Sequence, residues 1–309
     1  MARVRIGFIK YANSMPFYHE FDSAPLAETL KIRCSEAASG PAGASNAQCG
    51  FEFEIIYDAP ARLNDLISNG GLDIATISAF EYVKNRAELQ LLNKINISAT
   101  ERVMSVLLAS RKNMTELSGQ TIMLSNESAS AASLFKILAE DFFGCAGVKY
   151  VSGKVTAENI GAILDGGQAC AVMAIGDEAL KYFEKNRTSS AANIHTANGE
   201  IKVFDLCQQW NRFTGLPFVF GILAARKDFY FGNKKICDKL CAAIKSKVDF
   251  FNSNRDIFAE KAFKSCGVSL DTMKEYYGLL NYEFRPEHIM ALEEFEKRLK
   301  KINAFQNER

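Results

Sequence analysis

Tyr11-Ala12-Asn13-Ser14-Met15-Pro16 follows directly on the first apolar strand, residues 4–9. A strand that runs into Asn-Ser-x-Pro marks a strand-to-helix corner, because Asn or Ser caps a helix and Pro is tolerated in its first turn. In open α/β sheets ligands collect at the carboxyl ends of strands, so chemistry belongs at such a corner. Taken singly, it reads as ordinary capping. Its weight comes from similar polar corners further along the chain.

After the strand at 73–77 comes Ser78, followed by Ala79-Phe80-Glu81-Tyr82 opening a helix. The Ser78 hydroxyl suits a cap, and with the free N–H groups of a helix start it equally suits an anion. The strand at 120–124 leads into Ser125-Asn126-Glu127-Ser128-Ala129-Ser130. A helix start lined with hydroxyls makes a carboxylate cradle, each dipole contributing roughly 0.3–1 kcal/mol. The strand at 169–174 leads into Ile175-Gly176-Asp177-Glu178-Ala179-Leu180. Four such corners shift the balance from capping toward a site.

Alternating elements set the fold class. Strands are expected at 4–9, 51–57, 73–77, 89–97, 103–110, 120–124, 148–151 and 169–174, with helices at 61–69, 128–143, 157–165 and 177–186. Asn69-Gly70-Gly71 stops the first of these helices. The alternation predicts parallel sheet layered with helices. From about Asn233 the chain reads as helices, the last an amphipathic one at 286–302. Residues 35–50 are Ala-, Gly- and Ser-rich with little to bury, which predicts a flexible surface insertion. The only tryptophan, Trp210, precedes Thr214-Gly215-Leu216-Pro217, a tight turn into an apolar strand. A packed indole is expected there, while Thr214 and Gly215 are placed to face a cleft, glycine allowing close backbone approach.

Composition excludes several functions. With 309 residues and 48% hydrophobic content the chain suits two domains. Its 37 Lys and Arg against 36 Asp and Glu give no basic footprint for nucleic acid. The basic run ending at Lys301 is interleaved with Glu293, Glu294 and Glu296, as on a solvated helix face. No apolar run reaches the length of a signal-peptide core or a membrane span, so a cytoplasmic, reduced protein is expected. The eight cysteines include no Cys-x-x-Cys and no zinc set. Cys237 and Cys241 read as buried apolar residues, and Cys34 and Cys49 as free thiols flanking a loop. There is no Gly-x-Gly-x-x-Gly, no phosphate-loop lysine and no Gly-x-Ser-x-Gly elbow. Neither metal nor cofactor is expected. Of the three histidines, His19, His195 and His288, only His19 lies near a corner. A site built from Ser, Thr, Asn and backbone N–H groups suits a small carboxylate.

These corners, in this order, resemble the chorismate dehydratase family of the futalosine route to menaquinone. The resemblance is carried by Arg5-Ile6-Gly7 through Tyr11-x-Asn13-Ser14-x-Pro16, by Ala61-Arg62-Leu63-Asn64-Asp65-Leu66, and by Leu72-Asp73-Ile74-Ala75-x-Ile77-Ser78-x-x-Glu81-Tyr82. It continues through Glu127-Ser128-Ala129-Ser130 and Ile175-Gly176-Asp177-Glu178-Ala179-Leu180. It ends with Phe204-Asp205-Leu206 through Trp210 to Thr214-Gly215-Leu216-Pro217-Phe218-Val219-Phe220. Ala12, where the family carries a bulkier apolar residue, and the 35–50 insertion are departures.

The resemblance implies a two-lobed α/β fold of the type II periplasmic-binding-protein kind, with the ligand cleft between the lobes. Residues 1–101 with 215–309 would form one lobe and 102–214 the other. It implies loss of water from chorismate, giving the enolpyruvyl ether of 3-hydroxybenzoate, with the substrate's own enolpyruvyl carboxylate taking the proton. Asn13 is then the catalytic candidate, orienting the reacting region. Ser78, Ser128 and the Ala129 N–H would hold carboxylates, Thr214 and Gly215 would complete the cleft, and Tyr11, Ser14, Asn126, Gly176 and Asp177 would line it. Asp177 is read as a helix cap in preference to a general acid. The expected partner is the small dicarboxylate alone, with neither nucleic acid nor membrane, in a monomer or homodimer. A plain solute-binding protein, the dihydroxynaphthoate-forming enzyme of the same route and an aromatic-acid sensor are the rivals; the second is expected to open on a Ser-Pro-Cys-Pro-Asn corner, which this chain lacks.

Overall fold

The computed structural model describes residues 2–19, 51–187, 193–196 and 199–305. The expected insertion at 35–50, with Cys34 and Cys49, lies outside them. Among the described residues twelve strands form two six-stranded sheets. They are β1 (Ala2–Ile9), β2 (Phe51–Asp58), β3 (Ile74–Ser78), β4 (Leu89–Ala99), β5 (Val106–Ser110) and β6 (Thr121–Ser125). Then follow β7 (Lys149–Gly153), β8 (Ala171–Ile175), β9 (Asn193–Thr196), β10 (Gly199–Asp205), β11 (Phe218–Arg226) and β12 (Leu280–Glu283). The first sheet has the order β12-β4-β11-β3-β1-β2 and the second β7-β6-β8-β5-β10-β9.

The expected parallel sheets are corrected to mixed ones. β1 runs parallel to β2 and β3, and β6 parallel to β7 and β8, but β11 lies antiparallel between β3 and β4, and β5 antiparallel to β8 and β10. The chain leaves the first sheet at the carboxyl end of β4 and re-enters it at that same end as β11, Phe218 pairing with Ala99, which reverses the strand. The parallel strands keep their carboxyl ends on one edge of each sheet, and those edges carry the polar corners.

Alternation on the central strands of the second sheet shows why it is covered on two faces. On β5, Val106 and Leu108 join the large apolar core, while Leu107 and Ala109 join a second cluster with Val155, Ile160 and Ile163. On β8, Ala171, Met173 and Ile175 face the first and Val172 and Ala174 the second. Period-two side-chain direction forces this division. The helix expected at 128–143 is α-helical only over Ala129–Lys136 and continues as a π-helix, Ile137–Phe142. Cys237 and Cys241 are buried, as their spacing predicts.

The crossing from β4 to β5 is tied down by one carboxylate. Asp205 Oδ2 accepts from Val103 N and Met104 N at 2.8 and 2.7 Å, and Oδ1 accepts from Cys207 N and Gln208 N at 3.0 and 3.1 Å. It thereby caps the helix Leu206–Thr214 and holds Met104 in a left-handed conformation, φ 62°. Burial pushes the Asp205 carboxyl up and the four N–H donors pull it back. Asp205→Asn would set an amide nitrogen against donors, so denaturant unfolding is expected to show a loss of about 1–3 kcal/mol; unchanged stability would show that the crossing holds without it.

Candidate active site

β1 ends at Ile9, and the chain turns through a short 3-10 segment, Ala12–Ser14, into the helix Met15–Tyr18 with Pro16 in its first turn. Neither Asn13 nor Ser14 caps that helix by its side chain. Instead the buried Ser14 hydroxyl donates to Asn13 Oδ1 at 3.2 Å. The Asn13 amide is thus held from its own corner.

At the end of β3, Ser78 does cap its helix, Ala79–Lys84, accepting from Glu81 N at 3.1 Å. Asn64 reads both polar groups of Ser78: its Nδ2 donates to the hydroxyl at 3.1 Å and its Oδ1 accepts from the backbone N at 3.2 Å. The next amide of that helix, Phe80 N, donates to Ser130 Oγ at 2.9 Å, and Ser130 stands on the helix Ala129–Lys136 that follows β6 of the other sheet. Two helix starts therefore meet across the gap between the sheets. Ser128 caps the second, accepting from Ala131 N at 3.2 Å. Beside them, the Tyr11 hydroxyl donates to Glu127 Oε2 at 3.0 Å. Burial and then Glu127 push this phenol's pKa up.

At the end of β8, Gly176 takes φ +58° and donates its N–H to Ser105 O at 2.8 Å. A Cβ there would lie 3.8 Å from the Tyr11 ring, so it is the left-handed backbone that calls for glycine at this corner. Asp177, the second residue of the helix Gly176–Lys185, makes no capping bond; Ile175 is the N-cap. Burial raises the Asp177 carboxyl, Lys181 opposes this, and the Cys266 thiol bonds to it.

These corners enclose a narrow cleft lined by Tyr11, Asn13, Ser78, Ser105, Ser128 and Gly176 on its polar side, with a wall that includes Ile9, Pro60, Ile97, Phe220 and Leu280. Among the described residues no Lys, Arg, His, Asp or Glu lines it. What it offers is hydroxyls, one carboxamide, a phenol and helix starts, a set suited to holding a carboxylate by dipoles.

Of the residues singled out from sequence, Tyr11, Asn13, Ser78, Ser128 and Gly176 are brought together here. Ser14, Asn126, Ala129 and Asp177 are not among the lining residues; Ser14 lies beneath Asn13 and Asn126 is exposed. Thr214 and Gly215 are not brought to the cleft either. Thr214 Oγ1 donates to Trp210 O at 2.8 Å and accepts from Leu216 N at 3.1 Å, and Gly215, φ +67°, is the C-cap of the helix Leu206–Thr214. Trp210 is fully buried and donates to Pro217 O at 3.1 Å. The later residues Phe220 and Gly221 of β11 reach the cleft instead.

His19 stacks on Phe250 and meets Phe258 edge-on, outside the lining. His288 is buried, with Nδ1 accepting from Arg285 N at 2.9 Å; the neutral ring therefore carries its proton on Nε2, which faces Ser98 Oγ at 3.0 Å. Missed from the sequence were Ser105 and Ser130. Ser130 was visible as the third serine of its corner, while Ser105 sits in the crossing before β5 with no local signal.

The two mixed sheets and the cleft between their strand ends are the architecture of periplasmic-binding proteins. Protein AF1704 from Archaeoglobus fulgidus matches 98% of this chain and 98% of its own at a TM-score of 0.69 and 16% identity. The periplasmic aliphatic sulphonate binding protein SsuA of Escherichia coli covers 99% and 94% at a TM-score of 0.63 and 12% identity. A Candida albicans protein described as having the generic periplasmic binding protein fold covers 98% and 95% at 0.62 and 11%. Sequence narrows the class: residues 4–301 match the model of the menaquinone biosynthesis family, and the chain belongs to that family. A chorismate dehydratase of Thermus thermophilus is 31% identical over 179 residues, 57% of this chain. The match spans 62% of that relative's length. Among the described residues no helix is long and apolar enough to cross a membrane.

Two outcomes follow from these contacts. Ser130→Ala removes the acceptor of a buried amide and is expected to lower unfolding free energy by about 1–3 kcal/mol in denaturant titration; no loss would mean that Phe80 N finds another partner. The His288 pKa is depressed by burial first. The unfolded chain then binds the proton that the folded one refuses, so stability is expected to fall as pH drops below about 6.5. In His288→Asn that fall should shrink, as read by melting temperature against pH.

Proposed function

We propose that this protein is a chorismate dehydratase, eliminating water from chorismate to give 3-[(1-carboxyvinyl)oxy]benzoate in the futalosine route to menaquinone. The observation that carries the reading is the convergence of Asn13, Ser78 and Ser128 on one cleft whose lining, among the described residues, includes no Lys, Arg, His, Asp or Glu. The family membership and the Thermus thermophilus relative support the same assignment.

The reaction breaks the C–H bond at the ether-bearing ring carbon and the C–O bond of the neighbouring hydroxyl. The C–H electrons enter the ring, which becomes aromatic, and the hydroxyl leaves as water with the proton. Aromatisation supplies the driving force, so the protein's part is conformational. The enolpyruvyl carboxylate of the substrate takes the ring proton if its side chain is held over that carbon. Positioning of this kind can contribute several kcal/mol. Asn13, its Oδ1 fixed by Ser14, orients the reacting region, and Ser78 and Ser128 hold carboxylates at two helix starts. Residues 1–101 with 215–309 and residues 102–214 act as the two lobes that close on the ligand. In this reading the enzyme works in the cytoplasm and needs no metal or cofactor.

Incubating the purified protein with chorismate, followed by chromatography with mass detection, is expected to give an aromatic product lighter by one water. Asn13→Ala should abolish turnover while the protein stays folded, as read by circular dichroism. Normal turnover in that variant would sink the role of Asn13. Unconverted chorismate that raises the melting temperature would replace the enzyme with a binding protein.

A further inference from the structure

The corner that presents Asn13 is gripped from a distant part of the chain. The helix Leu270–Leu279 ends with two successive tyrosines aimed at it. Tyr277, fully buried, donates its hydroxyl to the carbonyl of Ala12 at 3.1 Å, the peptide immediately before Asn13. Tyr276, 2% exposed, places its phenol against the side chains of Asn13 and Ser105, which both line the cleft. The pair is itself anchored: Arg255 Nη1 donates to the Tyr277 carbonyl, and the Tyr277 ring meets Phe251 edge-on at 5.1 Å. Glu275, one residue earlier, pairs with Arg102 in the crossing and with Arg187 on the side of the second sheet.

Resting on the reading of Asn13 above, we propose that Tyr276 and Tyr277 are positioning residues for the reaction: Tyr277 sets the backbone of the Asn13 turn and Tyr276 sets the direction of its amide. A 3-10 turn of three residues has too few internal hydrogen bonds to fix a side chain within a few tenths of an ångström. A buried phenol does so at small entropic cost, having only two side-chain torsions to lose. Tyr276 also spans the two parts of the site, because Ser105 lies past the crossing and its carbonyl accepts from Gly176 N. The amide and the Gly176 corner are therefore registered to one another through one hydroxyl.

The test compares Tyr276→Phe, Tyr277→Phe and the control Tyr282→Phe with the wild type for kcat, KM and melting temperature on chorismate. Tyr282 is buried nearby, and its hydroxyl has no partner among the described residues. Positioning predicts that kcat falls about tenfold or more in each of the first two variants, with KM changed less than threefold. It also predicts that the Tyr282→Phe enzyme behaves as wild type. Measuring well below the melting temperature, and normalising to the folded fraction, removes any purely structural loss. Wild-type kcat in Tyr277→Phe and Tyr276→Phe, with Asn13→Ala inactive, would overturn the inference and leave the function standing. A wild type that does not convert chorismate, or an Asn13→Ala enzyme that does, would remove the reading on which the inference rests, and the inference with it.

Discussion

A helix start brought into an interface has amide groups that need acceptors, and this molecule meets that need across the cleft. Phe80 N, on the helix after β3, takes its acceptor from Ser130, on the helix after β6. That single bond couples the strand-end edges of the two sheets, since each helix is seated on the corner that lines the cleft. Ser78 and Ser128 then satisfy an amide one turn inside each helix, and their positions follow from the same meeting of termini. The wall of apolar residues between the corners keeps water out and raises the worth of each dipole.

The electrostatics of the cleft are unusual for an anion site. Among the described residues its lining carries no cation, while Glu127 and Asp177 lie close enough to Tyr11 for each to raise its pKa. On the proposed function, a substrate dianion would meet these carboxylates on approach and neutral dipoles inside. Opposite charge would bind substrate and transition state about equally well, which does little for the rate of the chemical step. Oriented hydroxyls and amides act only at short range, so they discriminate conformers and not merely charge. That property suits a reaction in which the substrate supplies its own base.

Much of the frame was legible because capping is local. Ser78 and Ser128 declare themselves by a strand before and an apolar helical period after, and both line the cleft. Strand direction has no such local sign, and the antiparallel β11 could not be told from a parallel strand by its apolar run. The alternation Ile201, Val203 against Glu200, Lys202 that makes β10 was passed over, and with it the helix Leu206–Thr214. Without that helix Gly215 looked like a glycine admitting a ligand, when its positive φ is the ordinary end of a helix. Tyr276 and Tyr277 were silent for another reason: in sequence they look like any aromatic pair on a core-facing helix, and only the tertiary fold sets their hydroxyls against residues 12, 13 and 105.

The distribution of rigidity follows the same logic. Around the Asn13 turn the supports are directional and buried: a hydroxyl on a carbonyl, a serine on an amide, a carboxylate on four backbone N–H groups at the crossing. Elsewhere the last helix, Pro286–Lys301, is tied to the π-helix Ile137–Phe142 by charge, Arg298 meeting Asp141 at 2.6 Å. Directional bonds between neutral groups fix an angle, and a carboxylate as buried as Asp141 keeps its cations because losing one would leave its charge uncompensated. The chain thus sets its most directional contacts under the corner that presents Asn13, where a hydroxyl on a carbonyl and a serine on an amide each fix one angle.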